Sequence, residues 1–454
     1  MRWGHPMLYE IGRRFRSLQS KPASFWFAAL LGIGLVVRIA LLLTYQPVAY
    51  GDTNSYFRLA QAIAGVGERG YDGTRVPGYP AFVALLGIQE RPVWIAQLAL
   101  GLAISLLLFW MTWKTTGRPE AGFLVGALYT LIPGQFLFES NLLTETLTTF
   151  FIVASFTVFL AIRRSPSTGW SIALAFVLGF TSTAVGLTRP LFFPLTVWLL
   201  PFVWFGSAAT IRDRLVITGA FALLPLLMQG GWLGYMQSHW GVFSPTAMAG
   251  YSMVQHTGEF FEYLPDEYAA IRDTYLEYRA IQVAARGVQI NTIWEAIPAI
   301  SKASGLGFYD LSRKVQELSW LLIRDHPLLY ARNVLEGWLW FWKAPVYWRP
   351  DMFSSEIIGQ VMAVLALVGR GISVLANFVF LILSAGAVLS RKVRSWVKID
   401  AMLVATGGFV LLSSVLQTFL DHGDNPRFLV PLQMVVIYVV VRAWVGPEPR
   451  KATL

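Results

Sequence analysis

The sequence predicts an all-α membrane protein with about ten transmembrane helices, and three observations support this prediction. Of its 454 residues, 55% are apolar or aromatic and only 14% are charged, whereas about 25% of the residues in a soluble globular protein are charged. Apolar runs of about twenty residues recur, long enough to cross a hydrocarbon core about 30 Å thick. Basic residues are concentrated in every second connection between these runs. An ordinary soluble enzyme is therefore excluded.

The transmembrane helices are expected where long apolar runs are bounded by charged residues, proline or glycine. They are predicted at residues 25–45, 92–113, 121–137, 142–162, 170–187, 190–206, 215–236, 366–390, 401–420 and 428–446. The chain thus divides into a bundle at 25–236, a long connection at 237–354 and a second group of spans at 355–446. Residues 1–24 are polar and basic without a cleavage site, so a cytoplasmic tail is expected rather than a signal peptide. Residues 447–454 would form a second cytoplasmic tail.

The distribution of basic residues predicts the orientation in the membrane. If the N-terminus is cytoplasmic, the inner segments contain 18 of the 36 Lys and Arg residues but only five of the 26 Asp and Glu residues. This positive-inside pattern accounts for the isoelectric point of about 9.7 without any binding of nucleic acid. Both termini are therefore predicted in the cytoplasm. The absence of cysteine excludes disulfides, thiolate nucleophiles and cysteine-bound metals.

Two long connections lie on the opposite, outer side. In residues 46–91, Tyr56, Leu59, Ala60 and Ile63 would form the apolar face of a short helix on the membrane surface. Residues 237–354 are predicted to be mainly helical, without a strand pattern. Their apolar faces are expected at Tyr268, Ile271, Tyr275 and Ile281 within residues 265–287, and at Leu311, Val315, Leu318 and Leu322 within residues 310–324.

Residues 326–345 are apolar enough to be mistaken for another span. Counting them as a span would move the basic cluster at 391–398 to the outer side, against the positive-inside rule. We therefore predict an amphipathic helix at the outer interface, with Trp338, Trp340 and Trp342 at the level of the lipid headgroups.

Polar residues that are costly near hydrocarbon gather on the outer side. They are Asp52, Arg75, Glu139, Glu145, Arg189, Asp421, His422, Asp424 and Arg427. A carboxylate beside several arginines suits a reaction in which guanidinium groups hold an anionic lipid headgroup while a hydroxyl loses its proton. A phospholipid-linked donor is therefore the substrate class that these residue types indicate.

Each of these residues also has a structural alternative. Asp52 could cap the helix that follows it. Arg75 and Arg189 could be anchors whose side chains reach the headgroups, and the same holds for Arg427. Glu145 could be neutralised by a structural partner, because an unpaired carboxylate in an apolar helix is costly. A metal site at His422 is not supported, since the sequence DHGD lacks a standard ligand spacing.

The first outer connection carries a specific sequence pattern. Asp52 is followed by Tyr56 and then by RVPGYP at residues 75–80, which leads into a span. This pattern resembles the polyprenyl-phosphate-sugar-dependent glycosyltransferases of family 39, which have the glycosyltransferase-C fold and include protein O-mannosyltransferases and lipid A aminoarabinose transferases. Further matching pieces are TE at 144–145, LTRP at 187–190, HP at 326–327 and RFLVP at 427–431.

The resemblance implies transfer of a sugar, with inversion, from a polyprenyl-phosphate donor to a hydroxyl of a glycan, lipid or protein on the outer face of a bacterial inner membrane. Asp52 would be the catalytic carboxylate that activates the acceptor, and Glu145 the second acidic residue of the catalytic site. The expected contacts to the lipid phosphate and sugar are Arg75, Tyr56, Tyr79, Arg189, Arg427 and Glu139.

The sequence departs from the family in two places. Aminoarabinose transferases have an acid-Lys-Pro-Pro pattern where this chain has TRVP at residues 74–77, so a metal held by that acid is not supported. The sequence indicates no certain cofactor and leaves a divalent cation open. Protein O-mannosyltransferases pair Asp with Glu after the first span and carry a β-trefoil insertion, whereas this chain has Asp52–Thr53 and a helical insertion.

Other function classes would require different sequence features from those of a glycosyltransferase. A flippase or transporter of lipid-linked sugars would need polar residues through the middle of several spans and internal symmetry, whereas the charges here gather at one end. A ligase or polymerase of lipid-linked glycans would use a pyrophosphate donor and a different outer connection. A non-catalytic scaffold would tolerate alanine at Asp52, Glu145 and Arg75.

Overall fold

The computed structural model describes residues 21–206, 210–422 and 426–448. These residues form helices joined by short connections, and their only β pairing is an isolated bridge between Val48 and Asn141. The predicted all-α membrane fold is confirmed. Asp424, residues 1–20 of the predicted N-terminal tail and residues 449–454 of the C-terminal one lie outside the described residues.

The α-helices are numbered here in chain order. They are α1 (Ala23–Thr44), α2 (Thr53–Ile63), α3 (Gly78–Leu85), α4 (Glu90–Thr116), α5 (Pro119–Leu131), α6 (Pro133–Phe136), α7 (Glu145–Arg163), α8 (Thr168–Thr188), α9 (Pro194–Gly206), α10 (Ile211–Trp240), α11 (Ala249–Thr257), α12 (Ala269–Arg286), α13 (Thr292–Ser304), α14 (Phe308–Asp325), α15 (Pro327–Phe341), α16 (Glu356–Leu389), α17 (Arg391–Val397), α18 (Ala401–Leu420) and α19 (Pro426–Val445).

Eight helices in the described part of the chain are long and apolar enough to cross a membrane, namely α1, α4, α7, α8, α10, α16, α18 and α19. The other two predicted spans differ from simple helices. The span predicted at 121–137 is bent by 65° between α5 and the segment Pro133–Ser140, because Pro133 cannot continue the hydrogen-bond ladder and keeps Ile132 out of the helical conformation. The span predicted at 190–206 is a shorter apolar helix.

Helix α2 packs into the protein instead of lying free on a membrane surface. Tyr56, Leu59 and Ala60 are buried as expected, whereas Ile63 is exposed. The buried face contacts α3 and the segment that precedes α7, including Leu143. The first outer connection is therefore a fixed part of the bundle at the end where α1 finishes, which we call the Asp52 end.

The region between α10 and α16 has its own apolar core, built from α11 to α14. The predicted apolar face of α14 is confirmed, since its four predicted residues are buried, namely Leu311, Val315, Leu318 and Leu322. In α12, Ile271 and Tyr275 are buried, but Ile281 is exposed and Gln282 takes the inward position. Gln282 lies seven residues after Tyr275, about two helical turns, so both side chains are on the same face of α12. Ile281 is rotated by about 100° from Gln282, away from that face.

Helix α15 packs against α18, where Trp338 donates from Nε1 to Ser414 Oγ at 3.1 Å. Its C-terminal end reaches Asn377, whose Nδ2 donates to the Trp342 carbonyl at 2.9 Å. Asn377 lies 21 residues into α16 and accepts in turn from Gln433 Nε2 of α19 at 2.8 Å, so the C-terminal end of α15 is joined to both helices. Further along the chain, the Ser354 N–H donates to the last carbonyl of α1 at 2.8 Å. The predicted place of residues 326–345 at the outer interface stays a prediction.

Candidate active site

Five charged side chains from five separate segments meet at the Asp52 end and alternate in sign. Arg75 Nη2 donates to Asp52 Oδ1 at 2.7 Å, and Arg427 Nη1 donates to Asp52 Oδ2 at 3.0 Å. Arg427 also donates through Nε to Glu145 Oε1. Arg189 Nη1 donates to the same Glu145 oxygen at 2.9 Å. Three guanidinium groups face two carboxylates, so the cluster carries one positive charge in excess.

Asp52 is positioned by a short strand-like contact between two segments. The Val48 N–H donates to the Ser140 carbonyl at 2.8 Å, and the Leu142 N–H donates to the Val48 carbonyl at 2.9 Å. Thr53 Oγ1 adds a bond to the Leu142 carbonyl at 2.9 Å. These contacts fix the start of α2 beside the segment that leads into α7, and so bring Asp52 close to Glu145.

The capping alternative for Asp52 is wrong. Asp52 occupies the N-cap position of α2, but its side chain makes no capping hydrogen bond. Both of its carboxylate oxygens are directed to arginines instead. Nor are Arg75 and Arg189 headgroup anchors in this structure, because each is bonded to a carboxylate of the cluster.

The glycine of the RVPGYP sequence, Gly78, lies where two backbone segments approach closely. A Cβ at this position would lie 2.5 Å from the Leu187 carbonyl oxygen, far inside the closest normal contact. The start of α3 therefore packs directly on the last turn of α8, immediately before Arg189. This close backbone approach holds the Arg75 loop and Arg189 on the same side of the bundle.

The cluster is open at one side and closed at the other. Asp52 and Arg75 have side chains that are 31% and 28% exposed, whereas that of Glu145 is 1% exposed. Burial alone would raise the pKa of Asp52, but the guanidinium groups of Arg75 and Arg427 outweigh it and hold the pKa below the ordinary value for aspartate. Asp52 is thus an accessible, ionised carboxylate with cations on both sides.

Comparisons with known proteins give similarity only at the level of structure. No family model and no curated protein matches the sequence. The chain is similar to the archaeal oligosaccharyltransferase AglB from Archaeoglobus fulgidus in complex with an inhibitory peptide and a dolichol-phosphate, at 13% identity and a TM-score of 0.48, over 92% of this chain and 50% of AglB. It is also similar to ArnT from Cupriavidus metallidurans bound to undecaprenyl phosphate, at 14% identity and a TM-score of 0.34, over 93% and 77% of the two chains. The chain therefore spans about half the length of AglB.

Three of the predicted substrate contacts lie behind the exposed surface. Tyr79 is fully buried, and its hydroxyl donates to Gln97 Oε1 at 2.8 Å. Tyr56 is also buried; its ring packs edge-on against Tyr79 and lies below the Arg75 guanidinium, 5.7 Å from ring centre to Cζ. Glu139 is fully buried and is outside the cluster. All three side chains are buried in the free protein, and their contacts to a substrate stay predictions.

The partner of Glu139 was not predicted from the sequence. Arg38 of α1 donates from Nη2 to Glu139 Oε1 at 2.6 Å, and both side chains are almost wholly buried. Gln97 of α4 links this pair to the site, since its Nε2 donates to the Glu139 and Asn141 carbonyls at 2.9 and 2.8 Å. The only sequence signal was the presence of a charge and an amide within apolar helices. Met248 is a further unpredicted neighbour, with its sulfur 3.6 Å from Arg75 Nη1.

A protein-built metal site is not found in the described part of the chain, where no three His, Asp or Glu side chains are placed to hold an ion. His422 packs against His256 at 5.2 Å between ring centres. The arginines of the cluster can bind an anion, and Asp52 can accept a proton.

Proposed function

We propose that the protein is a membrane glycosyltransferase that moves a sugar from a polyprenyl-phosphate donor to an acceptor hydroxyl. The observation that carries this proposal is the partly exposed Asp52, held through both oxygens by Arg75 and Arg427. Such a site offers cations for a lipid phosphate next to a carboxylate that can accept a proton. The sequence resemblance to family 39 supplies the donor class.

In the proposed reaction, Asp52 accepts the proton of the acceptor hydroxyl as its oxygen attacks C1 of the sugar. The bond between C1 and the phosphate oxygen breaks, and polyprenyl phosphate leaves with its new negative charge beside Arg75 and Arg427. Guanidinium groups already in place stabilise that charge without reorganisation. The transfer inverts the configuration at C1, because one displacement occurs.

We assign Glu145 a positioning role within this mechanism, which revises its predicted place in catalysis. Its carboxylate is buried and binds Arg427 and Arg189 from behind. It therefore orients the two guanidinium groups and balances part of their charge, while only Asp52 is accessible to an acceptor. Arg189 is held in addition by Phe428, whose ring centre lies 4.2 Å from its Cζ.

Donor binding changes the basicity of Asp52 in this proposal. In the free protein the carboxylate is tied to two arginines, which makes it a weak base. A phosphate that takes over Arg75 would remove one of these partners, and the pKa of Asp52 would then rise. The donor itself would thus activate the base, and hydroxyl deprotonation would be favoured only when the donor is bound.

This coupling predicts a pH dependence. Activity requires ionised Asp52, so it falls as the pH drops through the pKa of this carboxyl. Because that pKa is depressed in the free protein and rises in the donor complex, the acidic limb of kcat should lie at higher pH than that of kcat/KM. Measuring both profiles with a saturable donor checks this. Coincident limbs, or the opposite order, would contradict the release of Asp52 from Arg75.

The class of function is tested with purified protein in nanodiscs, offered a panel of radiolabelled polyprenyl-phosphate sugars together with glycan, lipid and protein acceptors. Turnover of one donor is expected. A parallel arm follows the same labelled lipids in sealed vesicles. Movement of labelled lipid across the bilayer without any turnover or release of sugar would instead favour a flippase and overturn the proposal.

The proposed location is a bacterial inner membrane with both termini in the cytoplasm and the Asp52 end outside. Basic residues in every second connection support this orientation. The orientation is tested with single cysteines introduced at Glu90 and Arg214. When intact cells are labelled with an impermeant maleimide, only the cysteine at position 90 should react. Both positions lie at helix starts on opposite ends of the bundle.

A further inference from the structure

Helix α16 carries a cationic residue, Arg370, within a long apolar surface. Large apolar side chains are exposed on both sides of Arg370, including Val364 and Leu367 before it and Leu375 and Phe378 after it. Arg370 is itself exposed and lies 14 residues into the helix, about 21 Å along its axis. A surface of this kind faces lipid, and a charged side chain within it is costly unless an anion accompanies it.

A second cation adjoins Arg370. The second cation is Lys343, just after α15, whose backbone carbonyl accepts a hydrogen bond from Arg370 Nε at 3.4 Å. Lys343 is also exposed, and its ammonium lies 4.1 Å from the centre of the Trp340 ring. Among the ion pairs of the described residues, none includes Arg370 or Lys343. Within the described residues, neither of these two cationic side chains therefore has a carboxylate partner.

Arg370 borders a small recess between α6, α16, α19 and the chain after α15, with room for about one water molecule, and Lys343 lies one residue before Ala344 in its lining. Its lining includes Gly134, Gln135, Pro345, Arg370, Leu429 and Gln433. Because Arg370 is both exposed and part of the lining, the recess opens on the flank of α16. We call it the α16 recess.

The α16 recess adjoins the candidate active site through two elements. Leu429 lies two residues after Arg427 in α19. Gln135 lies in α6, just after the bend at Pro133. The chain continues from there to Ser140 and Leu142, which bond to the backbone of Val48 near Asp52. An anionic group held at the recess would thus be close, along both elements, to the residues that hold Asp52.

We propose that Lys343 and Arg370 form a docking site for the phosphate of the polyprenyl-phosphate-linked donor, which reaches it from the lipid side before it moves to the Asp52 cluster. Charge complementarity selects the ligand class, since a guanidinium fork and an ammonium together suit a phosphate that carries an apolar chain. The apolar flank of α16 would accommodate that chain. The proposal rests on the proposed function for the identity of the lipid, but docking itself requires no turnover.

The site is tested with a polyprenyl phosphate that carries a photoreactive group near the phosphate and no sugar. Cross-linking in nanodiscs of neutral lipid, followed by peptide mapping, should label residues 343–346, 370–373 or 429–433. The double variant Arg370→Gln/Lys343→Gln should lose this labelling about tenfold, whereas Arg332→Gln, an exposed cation of α15 outside the recess, should keep it. Equal labelling of the double variant and the wild type would overturn the docking site.

Two further experiments are needed. The first distinguishes the donor lipid from other anionic lipids, and the second distinguishes docking from catalysis. Excess phosphatidylglycerol should not displace the photoprobe from the α16 recess; full displacement would identify a site for bulk anionic lipid and overturn the proposal. If a donor is turned over, the double variant should raise its KM about tenfold with kcat nearly unchanged, because the lost interaction precedes the chemical step. Probe labelling at the recess without any turnover would support docking while counting against the proposed transferase.

Discussion

The variant Asp52→Asn is expected to lower kcat for sugar transfer by about 10²- to 10⁴-fold, the usual contribution of a positioned general base. An amide of the same shape can still accept a hydrogen bond from one of the two arginines through its oxygen, and the contacts of Val48 and Thr53 do not involve the Asp52 side chain, so the fold and the insertion into the membrane should be preserved. It cannot accept the proton of the acceptor. Steady-state kinetics with a single donor and acceptor measure the effect.

Donor binding provides the internal control for this variant. The amide competes less strongly than the carboxylate for Arg75, so the affinity for a polyprenyl phosphate should be equal to or higher than that of the wild type. Asp273→Asn, which removes an exposed carboxylate of α12, should leave both kcat and binding unchanged. Near-normal turnover in Asp52→Asn would show that this carboxylate is not the base.

Glu139→Gln is expected to lower the free energy of unfolding by about 3–5 kcal/mol, because it leaves the buried Arg38 guanidinium without its counter-charge. Arg38 is held on several sides, since its Nε donates to the Leu98 carbonyl at 3.2 Å and its Nη1 to the Gly34 carbonyl at 3.2 Å. It cannot readily move to a polar surface. SDS titration in mixed micelles, followed by tryptophan fluorescence, measures the stability.

The charge-free double variant Arg38→Met/Glu139→Gln should recover most of the lost stability, because removal of both members of a buried pair also removes their desolvation cost. The exposed pair of Arg324 and Asp325 gives the matched control, and Asp325→Asn should not change the unfolding midpoint. If Glu139→Gln is as stable as the wild type, the pair is not a structural element of the bundle.

The positions of the spans could be predicted because hydrophobic length is a local property of the sequence. The residues of the cluster could also be predicted to lie at one end, since alternate connections of a bundle share a side. Asp52, Glu145, Arg189 and Arg427 follow this rule, and the structure joins them by hydrogen bonds. A carboxylate or guanidinium beside an apolar run was thus an informative signal.

Properties that depend on contacts between distant segments could not be predicted. The pairing of Arg38 with Glu139 joins residues 101 positions apart, so sequence alone left Glu139 as a candidate substrate contact. The bend at Pro133 was missed because the apolar pattern continues across it. The packing of α15 against α16 and α18 also has no local signal, since it depends on contacts with Asn377 and Ser414, which lie far along the chain.

The configuration of the transferred sugar tests the mechanism most directly. A donor of known configuration at C1 is offered to the purified protein, and the product is analysed by NMR before it can equilibrate. We expect inversion, since Asp52 acts as a base in a single displacement by the acceptor. Retention of configuration would indicate a covalent sugar–enzyme intermediate and two displacements, and would contradict the role of Asp52 as the general base.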